Sequence, residues 1–289
     1  MSRAAVTIPA LAERKAAGEP IVMVTAYDFP SARAAEQAGV DMVLVGDSAA
    51  QVVLGHPSTV AVTTEELLVL ARAVRRGVRS AFLVCDLPFG STEVSDEQAV
   101  ATALRFAKEA RADAVKLEGA GPARLSRIRA IVAAGIPVVG HIGLTPQTAT
   151  ALGGLRAQGR TTDAAARVVR DALAVQDAGA FCLVVEAVPA EVAAVFLPAL
   201  RIPAIGIGAG AADGQVLVLH DLLGIGQDAP ARFVKRYAAL GEAAVAGIAA
   251  YAEEVRSRAF PGPEHEYAAG PGAVAAARAE LARAASRGA

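Results

Sequence analysis

Eight short β-branched runs, the longer alanine-rich amphipathic stretches between them, and an acid at the end of several runs predict an α/β fold of the (β/α)8 TIM-barrel class. Parallel strands need a crossover to return to the same end of a sheet, and this alternation supplies one each time. The length of 289 residues is one that such barrels use as a single domain. An open doubly wound sheet is the other architecture the alternation permits.

The strands are expected at 21–25, 42–46, 81–85, 114–117, 137–140, 182–185, 204–206 and 216–219. Helices are expected at 29–38, 63–77, 95–111, 122–134, 163–178, 189–200 and 231–256. "TTEE" (63–66) and "SDEQ" (95–98) read as capping boxes before an apolar-periodic run. "EQAGVD", "KEARAD", "AAGIP" and "QDAGAF" each close a helix, three of them with a glycine suited to a left-handed C-cap. No Pro/Gly/Ser-rich linker divides the chain. A catalytic barrel domain is therefore expected over 1–267, followed by an Ala/Arg-rich tail over 268–289 that is either a solvated helix or disordered.

With 54% hydrophobic residues the chain can bury a large core without disulfides or structural metals. Its 28 basic and 29 acidic residues balance, so no net field attracts nucleic acid or an anionic membrane, and the expected partners are small molecules or other protein chains. The run "RAVRRGVR" (72–79) falls where cations complement a helix C-terminus. Cys85 and Cys182 lie in apolar strand-like runs and read as core thiols of a reducing compartment. The N-terminal stretch lacks a continuous apolar signal region, and no segment of membrane-spanning length is free of charge. A cytoplasmic protein is expected.

A barrel gathers its chemistry at the C-terminal ends of the strands, because that face carries the βα loops. The residues just past the expected strands are Asp47, Asp86, Glu118, His141 and Glu186, followed by "GIGAG" (206–210). One such acid alone is ordinarily a helix cap. Three on successive strands, spaced roughly 5 Å apart, crowd their charge and call for a cation; oxygen donors of this kind suit Mg²⁺.

Ser48 either binds a substrate oxygen or opens a tight turn. Lys116, one of only four lysines, stands two residues before Glu118 and so points to the same face of its strand. Buried there it needs an anion, supplied by these acids or by a substrate carboxylate. Glu186, across the mouth from the acids, is a candidate general base, with a helix cap at 189 as the plain alternative. His141 is a metal ligand, a substrate contact or a hydrogen-bonded mouth histidine, the first being least needed since the acids suffice. "GIGAG" resembles a phosphate nest, although close strand-to-loop packing also requires glycine. The stretch 144–162 is long for a βα connection and reads as a lid or cofactor grip.

Nine motifs carry a resemblance over about 8–267: "VTAYD" (24–28), "VLVGDS" (43–48), "VVLGHPST" (52–59), "CDLPFGS" (85–91), "KLEG" (116–119), "GHIGLTPQ" (140–147), "QGR" (158–160), "GIGAG" and "DGQVLVLHDLLG" (213–224). In this order they resemble the ketopantoate hydroxymethyltransferase family. The resemblance implies a (β/α)8 barrel that moves a one-carbon unit from 5,10-methylenetetrahydrofolate to 3-methyl-2-oxobutanoate, giving 2-dehydropantoate for pantothenate synthesis. It implies one Mg²⁺ per subunit on Asp47 and Asp86 with Glu118 close by. Asp47, Ser48, Asp86 and Lys116 contact the oxoacid in that scheme, and Glu186 takes its C3 proton through an enolate. A homodecamer is implied, and no residue is assigned to the folate cosubstrate. Two positions depart from the family pattern: Ala49 to Gln51 replace Leu-Gly-Met, and Thr92 replaces tyrosine. Neither removes a metal or base residue. Lyases and mutases related to isocitrate lyase and phosphoenolpyruvate mutase share strand-end acids, but they carry a cysteine loop or phosphate contacts not found here. A barrel kept only as an assembly scaffold is the non-catalytic alternative.

Overall fold

The computed structural model describes residues 3–226 and 231–287. Eight parallel strands close into a barrel: β1 (Ile21–Thr25), β2 (Met42–Val45), β3 (Phe82–Asp86), β4 (Ala114–Glu118), β5 (Val138–Gly143), β6 (Cys182–Glu186), β7 (Ala204–Ile207) and β8 (Gly214–Leu217). Each pairs with its neighbour in sequence and β8 pairs back to β1, so the open-sheet alternative is excluded.

The helices are α1 (Ile8–Ala17), α2 (Phe29–Ala38), α3 (Ala49–Val52), α4 (Thr64–Gly77), α5 (Asp96–Glu109), α6 (Pro122–Ala133), α7 (Thr162–Asp177), α8 (Ala190–Phe196), α9 (Leu219–Leu223), α10 (Leu240–Ser257) and α11 (Ala273–Arg287). Thr63 and Glu66 form the expected capping box. Ser95 caps α5 through the Gln98 amide, but the Gln98 side chain accepts from Val94 and the box is not reciprocal. Gly39, Gly135 and Gly179 take the left-handed backbone expected of them. Arg72 and Arg75 of the basic run pair with Glu109 and Asp113.

Strand side chains alternate between two apolar layers. One set, including Val43, Leu83, Val115 and Leu183, packs outward against the helices. The other, including Met23, Met42, Phe82, Val84, Val139 and Val184, fills the barrel interior. Cys85 and Cys182 are buried and free, one in each layer, and burial pushes both thiols up out of the reactive range.

Three sequence expectations shift. The last strand lies at Gly214–Leu217, not 216–219, because Leu219 donates its backbone N–H to Thr25 Oγ1 (2.8 Å) and turns the chain into α9. The helix expected at 231–256 begins only at Leu240 and runs to Ser257. The residues before it are claimed by tertiary contacts: the Tyr237 N–H donates to the Leu222 carbonyl (2.8 Å), and the Phe233 ring lies against Gly208. Helix α1 went unassigned in the sequence, although Thr7 caps it, Pro9 follows and Gly18 ends it. Its Leu11 is fully buried in the interior layer.

The chain divides into two compact units, Met1–Ala238 and Ala239–Ala289. In the second unit α10 and α11 carry no buried residue. Among the described residues no helix is long and apolar enough to cross a membrane.

Barrel closure depends on Gly214: a Cβ there would stand 2.3 Å from the Ile21 carbonyl oxygen. Gly214→Ala should lower stability by about 1–3 kcal/mol, read as a lower urea midpoint with an unchanged slope. A variant as stable as the parent would show that the β8–β1 seam is looser than its register implies.

Candidate active site

The inward-facing columns of β3 to β6 begin apolar and end polar. Alternation carries Phe82 and Val84 on to Asp86, Ala114 on to Lys116 and Glu118, Val139 on to His141, and Cys182 and Val184 on to Glu186. Register does the rest, since Asp86 lies opposite Lys116 and Glu118 opposite His141. Period and register thus bring five ionisable side chains to one end of the barrel.

Their contacts form a chain. Lys116 Nζ lies 3.1 Å from Asp86 Oδ1 and 3.9 Å from Glu118 Oε1. His141 stands 3.2 Å from Glu118 Oε1 through Nδ1 and 3.1 Å from Glu186 Oε2 through Nε2. Nδ1 is also 3.1 Å from Lys116 Nζ, but it cannot donate to Glu118 and accept from lysine at once. Burial and Lys116 push the imidazole pKa down, yet Glu118 and Glu186 outweigh them and hold it up at about 9. A protonated His141 between two carboxylates follows, with Lys116 directed at Asp86.

Asp47 joins from the loop after β2. Its backbone N–H donates to Asp86 Oδ2 (2.9 Å), and its Oδ2 accepts from Gln147 Nε2 (2.8 Å). Gln147 also donates its side-chain amide to the Leu87 carbonyl (3.0 Å) and its backbone N–H to Glu118 Oε2 (3.1 Å). Ser48 Oγ lies 2.8 Å from the hydroxyl of the buried Tyr27. Burial, reinforced by Asp86 and Glu118, raises Asp47 well above the usual carboxylate range, and burial likewise raises Asp86. Burial also acts on Glu118, but His141 and Lys116 outweigh it and lower that pKa.

Together these groups line a cavity of about 410 Å³, so all seven residues singled out in the sequence (Asp47, Ser48, Asp86, Lys116, Glu118, His141 and Glu186) meet around one space. Leu144, Pro146, Leu155 and Arg156 from the long 144–162 connection form part of its wall. Glu186 is the more open of the acids, its side chain 16% exposed against 3% for Asp86 and Glu118. Ala187, next in the chain, is held at φ 49°, a left-handed conformation that costs about 1 kcal/mol or more in a non-glycine residue and turns the backbone sharply after Glu186.

Among the described residues no group of three or more His, Cys, Asp or Glu side chains is arranged as a ready metal cage. Asp47 and Asp86 adjoin, while Lys116 Nζ stands between Asp86 and Glu118. Four carboxyl groups, Asp47, Asp86, Glu118 and Glu186, share this end of the barrel with two basic groups, Lys116 and His141. Sequence reasoning missed Gln147 and Tyr27, although "GHIGLTPQ" and "VTAYD" contain them. The "GIGAG" glycines answer to close packing: a Cβ on Gly208 would meet the Phe233 ring at 2.6 Å, and one on Gly210 would meet Ala190 at 2.6 Å.

Fold and site define a barrel enzyme built around buried carboxylates. Residues 5–263 match the family described as ketopantoate hydroxymethyltransferase, and the chain belongs to that family. It is 52% identical to the 3-methyl-2-oxobutanoate hydroxymethyltransferase of Emericella nidulans, over 92% of this chain and 76% of that one. It is also 52% identical to the enzyme of the same name from Moorella thermoacetica, over 92% and 98%. Solved structures of similar fold include phosphonopyruvate hydrolase (TM-score 0.61, 15% identity, 96% of this chain and 97% of that one) and 2,3-dimethylmalate lyase (0.56, 18%, 95% and 98%).

Because His141 is held at about 9 against an ordinary 6.5, its contribution to stability is complete below 6.5 and is lost as pH rises through 9. Thermal melts of metal-free protein should therefore show a drop in Tm across that window that is smaller in His141→Gln. Equal drops in both proteins would remove the protonated imidazole from the site.

Proposed function

We propose that the chain transfers a hydroxymethyl group from 5,10-methylenetetrahydrofolate to 3-methyl-2-oxobutanoate, forming 2-dehydropantoate, with Mg²⁺ as cofactor. Family membership and the names of the relatives support the overall reaction. The observation that carries the reading is Glu186, on the rim of the same cavity as Asp47, Asp86 and Lys116, and more open than the acids β3 and β4 supply. A base and an anion-binding group thus face one small space.

The donor set fits a divalent cation. Carboxyl groups outnumber basic groups, burial and neighbouring acids disfavour the ionised form of both aspartates in the absence of a cation, and Asp86 Oδ1 lacks an aligned hydrogen-bond donor despite its ionic contact with Lys116. Asp47 and Asp86 would hold the ion, with Glu118 near it; Mg²⁺ takes one or two protein carboxylates and keeps the rest of its shell for water and substrate. When bound, it supplies Lewis acidity toward the 2-oxo group and charge to offset the developing enolate.

The side chains divide the remaining work. Lys116 attracts the oxoacid carboxylate, and Ser48, braced by Tyr27, donates to a substrate oxygen. Glu186 accepts the C3 proton, and His141 holds that carboxylate in place from the Glu118 side. Water opens the methylene bridge of the donor, both C–N bonds breaking to release tetrahydrofolate and a formaldehyde equivalent; the carbanion adds to that carbon, forming the new C–C bond, and the carbonyl oxygen takes up the proton held by Glu186 to become the hydroxyl. The reading includes a cytoplasmic homodecamer; self-association is supported by Val245, Ile248, Tyr251 and Val255, which are all exposed along α10.

Proton exchange at C3 of the oxoacid, followed by NMR without donor, tests the base. Mg²⁺-dependent exchange should disappear in Glu186→Gln while calorimetry still detects the ion; full exchange in that variant would end the assignment. Gln147→Leu, which releases Asp47, should weaken Mg²⁺ binding by about 10–100-fold with the fold intact. Unchanged affinity would take Asp47 out of the metal site.

A further inference from the structure

Beyond the substrate cavity lies a second hollow of about 680 Å³. The two share Ala157, Ala187 and Phe233 on their walls, so a ligand too long for the first continues past these residues into the second. Its wall carries two arginines and one acid. Arg72, Arg75, Arg105, Arg124, Arg127 and Arg201 each pair with an acid. Arg160 and Arg232, both on the wall of the second hollow, pair with none among the described residues. Glu191 is the single acid there, leaving the hollow cationic. At the passage, Phe233 backs onto Gly208, where a Cβ would meet the ring at 2.6 Å. The ring stays 37% exposed and offers an aromatic face between the reacting centre and the arginines.

A ligand that suits this surface has a flat aryl group one step from its reactive end and carboxylates beyond it. The reactive end sits beside Glu186, the aryl group against Phe233 and the carboxylates on the guanidinium groups, which grip such anions through paired N–H donors. We propose that the second hollow binds the aminobenzoyl-glutamate end of the one-carbon donor, with Arg160 and Arg232 as contacts for its tail carboxylates. The proposal rests on the donor reading given above and adds the residues that hold that donor. It also makes the length of the glutamyl tail matter, since each added glutamate brings another carboxylate to the same cations.

The test measures steady-state KM for methylenetetrahydrofolate carrying one or three glutamates, in the parent and in Arg160→Gln, Arg232→Gln and the double variant. C3 proton exchange of the oxoacid, which needs no donor, is followed in parallel as a check on folding and on the metal and base groups. The triglutamate should have the lower KM in the parent, and added salt should erode that advantage. Each substitution should raise the donor KM about tenfold, and the double variant should treat the two donors alike, with exchange retained in all. A donor KM unchanged by both substitutions while exchange persists would overturn the proposal. If the parent exchanges the C3 proton but never turns over with a folate donor, the donor reading itself fails. Should a glutamine variant lose exchange, Arg160→Lys and Arg232→Lys retain charge and must restore it with an intermediate donor KM; failure to do so also counts against a tail-binding role.

Discussion

The structure depends on keeping several charges inside a barrel that is otherwise packed with hydrocarbon. Lys116 is buried, and its ammonium is tolerable there only because Asp86 lies 3.1 Å away with Glu118 and Asp47 close behind. Burial alone favours the neutral amine, but these carboxylates reverse that and push the lysine pKa up. The acids in turn would be intolerable without the lysine and the protonated His141. The group is held as a unit, so one member cannot be removed without stranding the others.

Barrel geometry makes such a unit possible. Parallel pairing sets Asp86 beside Lys116 and Glu118 beside His141, and alternation aims all four inward above a floor of Val84, Val139 and Val184. The floor is closed at the β8–β1 seam and packed by Leu11 from α1. The 144–162 connection ties itself to this frame through Gln147, which touches Asp47, Glu118 and the Leu87 carbonyl together. A loop element and three strand ends therefore share one hydrogen-bonded support.

Fold likeness does not by itself supply the chemistry. Phosphonopyruvate hydrolase shares the architecture at 15% identity, a level that speaks to the barrel alone. What marks this chain is the polar ending of four inward columns and the relatives that share its family. The departure at Thr92 is absorbed locally: its hydroxyl accepts from Arg124 Nη1 (2.8 Å) and its carbonyl from Arg127 Nε (3.2 Å), anchoring the loop after β3 to α6. Ala49 and Ala50 are fully buried in α3.

Strand count, the helices that cross between strands, the Thr63 capping box and the seven polar positions were legible in the chain because they follow from local rules: period-2 alternation, β-branched runs and cap chemistry act over a few residues. The same rules fixed where an acid ends a strand, though not that Asp86, Glu118 and Glu186 are the last strand residues rather than the first loop residues. What only the tertiary structure decided was partnership. Gln147 finds Asp47 from a hundred positions away, His141 settles between Glu118 and Glu186, Gly214 admits the Ile21 carbonyl, and Phe233 leaves its expected helix for a place against Gly208. Contacts of that range depend on how strands are staggered and loops are folded back, and no local periodicity encodes them.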